Sequence, residues 1–223
     1  MKPVLAAIAA LLVAAPCADA ALVTRPVGAK PLPDAAAAKL VKRSSFEPRR
    51  ENRNALRRTP TAAQLKLFRK KSDMPYARFV TGAYTGTTDE VIQWAARKWG
   101  FNPDLLRSVA VVESWWRMST VGDNGDSFGL FQMRRPFHCC LPFMAQDAAF
   151  NADYYGAILR SFYDGRQSWL NTVERGKQYR AGDLWGSVGT WFSGRWWVNV
   201  QGYISKVRAA LRDRTWRTSA FTG

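Results

Sequence analysis

Glu113 is the residue whose type and setting could most directly do chemistry. It lies seven residues after Leu106 and three after Ala110, so on a helix it shares a face with apolar side chains. A carboxyl placed there loses hydration, which disfavours its charged form and raises its pKa. That is what a general acid requires at neutral pH. The other reading of the same position is an ion pair with Arg117, four residues on, and spacing alone does not separate the two.

A loop rich in Gly and Asp follows, from Val121 to Ser127, and runs into Phe128-Gly129-Leu130-Phe131-Gln132-Met133. Asp123 and Asp126 are candidates for holding a water molecule. Gly129 would let the backbone approach a ring, Gln132 offers a donor and an acceptor to hydroxyl or acetamido groups, and Phe131 supplies an apolar wall. Such a set suits a saccharide, whose ring faces are weakly polar. Ten tryptophans add aromatic surface, although for each one taken singly a place in the core is the favoured expectation.

His138 beside Cys139 and Cys140 raises the question of a metal. It is the only histidine in the chain and no second cysteine cluster exists, so a metal site is disfavoured. Two loop thiols or a strained bridge are the readings left. Adjacent Cα atoms lie about 3.8 Å apart, closer than the usual disulfide range.

These residues need helices to position them. Thr88 or Asp89 reads as the cap of a helix carrying Val91, Trp94, Ala95 and Lys98 until Gly100 stops it. Asn102, Pro103 and Asp104 open the next, with the proline where its missing N–H costs nothing and the aspartate where the dipole favours it. Leu105, Leu106, Val109, Ala110, Val112 and Trp116 cover most of its circumference, which marks it as buried on nearly all sides. Further helical stretches run near Asp147 to Phe162 and Asp183 to Phe192, and a last one after Asn199 carries Tyr203, Ile204, Val207, Ala210 and Leu211 on one face. No run alternates long enough to require a strand. The expectation is an all-α bundle of about five or six helices.

The net charge of +16 is unevenly spread. Residues 21–85 hold 15 Lys/Arg against 4 Asp/Glu, an excess of 11, while residues 86–223 hold 17 against 12, an excess of 5. The first stretch is rich in Pro and Ala and poor in large apolar residues, so it is expected to be a disordered basic segment, followed by one globular domain at 86–223. Residues 1–20 combine Lys2, an apolar run from Val4 to Ala15 and Ala18-Asp19-Ala20, the pattern of a cleaved signal peptide. The run is short of the roughly 20 residues that span a bilayer. An exported, periplasmic or secreted protein seldom meets nucleic acid. The basic residues Arg49, Arg50, Arg53, Arg57, Arg58, Lys70 and Lys71 then read as contacts to an anionic cell wall or membrane surface, or as a solvated linker.

Glu113-Ser114 followed by Gly122-Asp123-Asn124-Gly125-Asp126-Ser127-Phe128-Gly129-Leu130-Phe131-Gln132 resembles the soluble lytic transglycosylase and goose-type lysozyme family, over roughly residues 88–215. Asn151 and Gly156 resemble that family's Asn-containing helix. The resemblance implies a lysozyme-like domain that cuts peptidoglycan glycan strands, with Glu113 catalytic, no cofactor and no metal. It also implies substrate-binding roles for Ser114, Ser127, Gly129, Phe131, Gln132, Asn151 and Trp191. Two places depart from the pattern. Trp191, in Thr190-Trp191-Phe192-Ser193-Gly194, stands where many transglycosylases carry a tyrosine that bonds the catalytic Glu. Arg134 stands where goose-type lysozymes carry an Asp. With one carboxyl sufficient for it, a lytic transglycosylase is the expectation. A hydrolysing muramidase using Asp123 or Asp126, and a wall-binding protein without activity, are the alternatives.

Overall fold

The computed structural model describes residues 22–173 and 178–222; the expected export signal at 1–20 lies outside them. The chain begins with short elements: α1 (Asp34–Lys39), a 3-10 turn (Arg50–Asn52), α2 (Arg53–Leu56) and α3 (Ala62–Lys71). The larger helices follow as α4 (Thr88–Trp99) and α5 (Pro103–Ser114). Three two-residue strands come next, β1 (Val121–Gly122), β2 (Ser127–Phe128) and β3 (Met133–Arg134), and then α6 (Phe143–Gln146) and α7 (Ala148–Tyr163). The chain closes with α8 (Leu170–Val173), α9 (Leu184–Ser193), α10 (Gln201–Asp213) and α11 (Ser219–Thr222). The protein is mainly helical, as expected. The small antiparallel sheet, ordered β1-β2-β3, is an addition that no alternating pattern announced.

Local chemistry sets the helix ends. Thr87 caps α4 in a reciprocal box with Glu90, one residue before the caps expected, and Gly100 ends the helix at φ 79°. Asn102 caps α5 with Pro103 behind it. α7 packs against α4 and α9 and is buried from Ala148 to Phe162, while α5 packs between α4 and α10. Two charged groups lie within that burial, each paired, as burial of charge demands. Asp153 accepts from Lys98 Nζ and Trp99 Nε1, both at 2.7 Å, and Lys98 also meets Asp34 at 2.7 Å. Arg160 pairs with Asp164 at 2.9 Å.

The expected disordered segment is instead folded onto this core from Leu22 onward. Phe68 is fully buried between Phe150 and Tyr154, with ring centroids 5.1 and 4.8 Å away. Val80, Ala37, Val41, Leu56 and Met74 are buried as well. The amide of Gly28 donates to Asp164 at 2.9 Å, and Arg160 donates to the carbonyls of Arg25 and Pro26. The segment reads as disordered by composition because its core residues come about one to a turn while its many charges face water. Arg49 is a further correction. It is buried rather than a surface contact, its Nε donating to the carbonyl of Trp115 at 2.7 Å and its guanidinium lying 4.2 Å from the Phe221 ring. Arg58 donates to Gln146 at 2.8 Å, whereas Arg50, Arg53, Arg57, Lys70 and Lys71 are exposed.

Among the tryptophans, Trp94, Trp99, Trp116, Trp185, Trp196 and Trp216 are buried, Trp169 is exposed, and Trp115, Trp191 and Trp197 are half-buried. Cys139 and Cys140 are joined in a disulfide, with a cis peptide between them. Among the described residues no helix is long and apolar enough to cross a membrane, and no three His, Cys, Asp or Glu side chains gather as a metal site.

Candidate active site around Glu113

Glu113 sits in the last turn of α5, and the chain leaves that helix abruptly. Trp115 and Trp116 both take positive φ, 56° and 62°, a conformation that costs a side-chain-bearing residue about 1–2 kcal/mol. The segment expected to be an arm offsets this strain. Asn52 Nδ2 donates to the Trp116 carbonyl at 2.7 Å while its Oδ1 accepts from Met118 N at 2.8 Å. Arg49 holds the Trp115 carbonyl, and Phe221 of α11 packs under both indoles at 5.0 and 5.2 Å. The end of the helix that carries Glu113 is therefore fixed from the N-terminal side.

The family-like turn braces the same helix from the other side. Ser114 Oγ donates to the Leu130 carbonyl at 2.8 Å and is buried. Asn151, fully buried on α7, accepts from Phe131 N at 3.0 Å and donates to the carbonyls of Phe128 and Met144 at 3.1 and 3.0 Å. Gly129, at φ 79°, is what lets that amide approach, since a Cβ there would stand 2.5 Å from Asn151 Nδ2. Gln132 turns its amide inward, donating to the carbonyls of Thr120 and Gly129 at 3.1 and 2.9 Å. Phe131 is fully buried and stacked on Tyr155 at 4.3 Å. Ser127 is buried, its hydroxyl on Asp123 at 2.5 Å. The side chains or backbone of Ser114, Ser127, Gly129, Phe131, Gln132 and Asn151, all expected to touch substrate, thus also hold the turn. Trp191 is half-buried.

Three aromatic residues surround the carboxyl. Tyr203 of α10 donates its hydroxyl to Glu113 Oε1, and the Trp191 indole N–H lies close enough to the same group to favour its charged form. Tyr155 is fully buried, meets the Trp191 ring edge-on at 5.0 Å, and has a hydroxyl with no hydrogen-bond partner among the described residues. Glu113 keeps partial exposure as a residue. Burial of its carboxyl raises the pKa from 4.5 to about 7. The Tyr203 hydroxyl and the Trp191 indole pull the other way, and the charge of Asp123 adds a little upward push. The phenols of Tyr203 and Tyr155 are themselves pushed well above 10, by burial first and then by the facing carboxylate. Glu113 therefore divides between its acid and its base form near neutrality, as a group that gives a proton and takes one back requires. Arg117, its alternative partner, points away to Glu51 at 3.5 Å.

The two loop aspartates are tied down. Asp123 meets Arg134 at 3.6 Å and Asp126 meets Arg135 at 2.5 Å. The tyrosine that bonds Glu113 comes from α10 rather than from α9. Tyr203 read as one more apolar-face residue of the last helix, and a hydroxyl where Phe would pack equally well was the signal that could have found it. Phe192, exposed and stacked on Tyr203 at 4.8 Å, and His138, weighed only as a metal ligand and here stacked on Trp191 at 5.4 Å, join the aromatic group around it. Burial lowers the His138 pKa to about 4, so the imidazole lies neutral on the indole.

Replacing Tyr203 with Phe should move the alkaline limb of the kcat/KM pH profile upward. The lost bond favours the charged form of Glu113, so without it the acid form survives to higher pH. A limb that moves down would show that the hydroxyl serves some other group.

No family model, curated protein or solved structure matches this chain.

Proposed function

We propose that the protein is an exported lytic transglycosylase of lysozyme-like fold that cleaves the β-1,4 bond between MurNAc and GlcNAc in peptidoglycan. The observation that carries the reading is the Glu113 carboxyl, raised to a pKa of about 7 by burial and held by the Tyr203 hydroxyl among aromatic side chains. The motif resemblance supplies the substrate. Glu113 first gives its proton to the glycosidic oxygen as the bond to the anomeric carbon breaks. The C6 hydroxyl of the muramoyl residue then attacks that carbon, and the Glu113 carboxylate takes the proton it releases. The product ends in a 1,6-anhydro ring, no water is consumed, and neither cofactor nor metal is called on. Phe192 and Trp191, open beside the carboxyl, offer faces for sugar rings.

Hydrolysis is the second reading, because the charge of Asp123 is felt at Glu113 and an inverting enzyme needs a second carboxylate to hold water. Against it, Asp123 is engaged by Ser127 and Arg134. Mass spectrometry of digested cell walls separates the two. Anhydro ends, lighter by one water than reducing ends, are expected from the wild type and also from Asp123→Asn and Asp126→Asn. Reducing ends only, with activity lost in either Asp variant, would make the enzyme an inverting muramidase. Walls left intact by the wild type would leave a binding protein.

A further inference from the structure

We infer that Arg50, Arg53 and Arg57 form an anion-binding pocket that takes the carboxylate-bearing peptide stems carried by the glycan strand. This rests on the reading of Glu113 as a glycan-cleaving acid and extends it from the sugar chain to its substituents.

The three arginines stand three and four residues apart along the 3-10 turn and α2, so they share one face. All are exposed, and none has a carboxylate partner among the described residues. With Glu47, Leu56 and Thr87 they border a cavity of about 710 Å³. The carboxylate in its wall is spent. Glu47 accepts from Thr88 N at 2.6 Å, from the Thr88 hydroxyl at 3.0 Å and from Arg49 N at 2.9 Å. Glu51, next in the chain, is turned to Arg117. Three arginines thus border a cavity whose one carboxylate, Glu47, already accepts three hydrogen bonds, so positive charge is in excess there and an anion relieves it.

The shape of the site favours a peptide over a simple ion. A cavity of this size falls in the range that holds ligands of tens of atoms, Leu56 gives it an apolar floor, and the guanidinium fork matches carboxylates with paired hydrogen bonds. Position links it to the cleft. Asn52, between two of the arginines, bonds Trp116 and Met118 and so joins the pocket wall to the turn that follows Glu113. A strand threaded past Glu113 carries its carboxylates on short stems beside the sugars.

The test compares the full chain with its R53E/R57E variant on two soluble substrates: glycan chains bearing tetrapeptide stems, and the same chains stripped of peptide by an amidase. KM on the peptide-bearing chains should rise about tenfold, since two exposed charge contacts are lost and reversed, while kcat and KM on stripped chains stay unchanged. Arg53→Gln/Arg57→Gln should give a smaller rise, and the wild-type preference should shrink as salt screens it. An equal rise on both substrates, or none, overturns the inference. So does competition by a soluble polyphosphate where free tetrapeptide does not compete. Binding of a disaccharide tetrapeptide to E113Q, with and without R53E/R57E, is read by calorimetry and needs no turnover. About tenfold weaker binding with the charges reversed supports the pocket even if the wild type cuts nothing, and equal binding refutes it. Failure of cleavage alone therefore counts against the role of Glu113 and not against the arginines.

Discussion

Glu113→Gln should abolish the proposed cleavage and leave a protein that is harder to unfold above neutral pH. The amide keeps the shape of the carboxyl and can still accept from Tyr203, but it has no proton for a leaving oxygen. The rate loss should be at least ~10²-fold if general acid catalysis carries its usual share. The stability gain follows from the same burial that makes the acid. In the folded protein the pKa of Glu113 is about 7, raised from its ordinary 4.5. The fold therefore binds this proton more tightly than the unfolded chain does. The resulting penalty on the fold is absent below about pH 4.5, grows as pH rises, and is complete above about pH 7. There it is worth roughly 3 kcal/mol. Denaturant midpoints should coincide for wild type and variant at pH 4 and separate at pH 8, the variant being the more stable. Near-wild-type cleavage by the purified variant would end the catalytic assignment, and equal midpoints at pH 8 would end the account of its buried carboxyl.

Deleting residues 22–80 leaves a chain that does not fold. Composition makes this stretch look dispensable, whereas the structure makes it one wall of the core. Phe68 alone, fully buried between two rings of α7, should cost about 3–5 kcal/mol when truncated to Ala. The deletion also strips Asn52 and Arg49 from the strained Trp115-Trp116 turn and removes Asp34 from buried Lys98. Groups left unpaired in such places cost several kcal/mol more. Against a total stability of about 5–15 kcal/mol, the sum leaves no folded state. Circular dichroism should show no cooperative melt for the truncated chain, with Phe68→Ala melting well below the wild type. A cooperative melt in the truncated chain would mean that these contacts only decorate an independent domain.

Much of the helical frame was legible in the sequence, because caps and periodicity are local signals. Asn102-Pro103 placed the start of α5, Asp147 and Asp183 marked α7 and α9, and the apolar setting of Glu113 forecast the direction of its pKa shift. What stayed hidden depends on contacts between distant residues. Asn52 and Arg49 look like polar surface until the carbonyls of Trp115 and Trp116 are seen beside them, 64 and 66 residues away. Tyr203 meets Glu113 across 90 residues, so no spacing rule reaches it. The turn from Gly129 to Gln132 was read as a sugar-binding surface because its residue types suit one. The same amides and hydroxyls also brace the turn, a role that residue type and spacing alone do not reveal.

The buried end of α7 has a consequence for how the chain is made. The amide of Gly28 finds its acceptor, Asp164, 136 residues later, and the carbonyls of Arg25 and Pro26 wait as long for Arg160. At a synthesis rate of about 5–20 residues per second, the start of the chain spends on the order of ten seconds without its partners. During that interval the cationic stretch has nowhere to dock, and contacts of such long range close slowly even once both ends exist. The stretch from Arg25 to Gly28 is thus made well before the helix that holds it, and its last contacts form only once α7 has been synthesised.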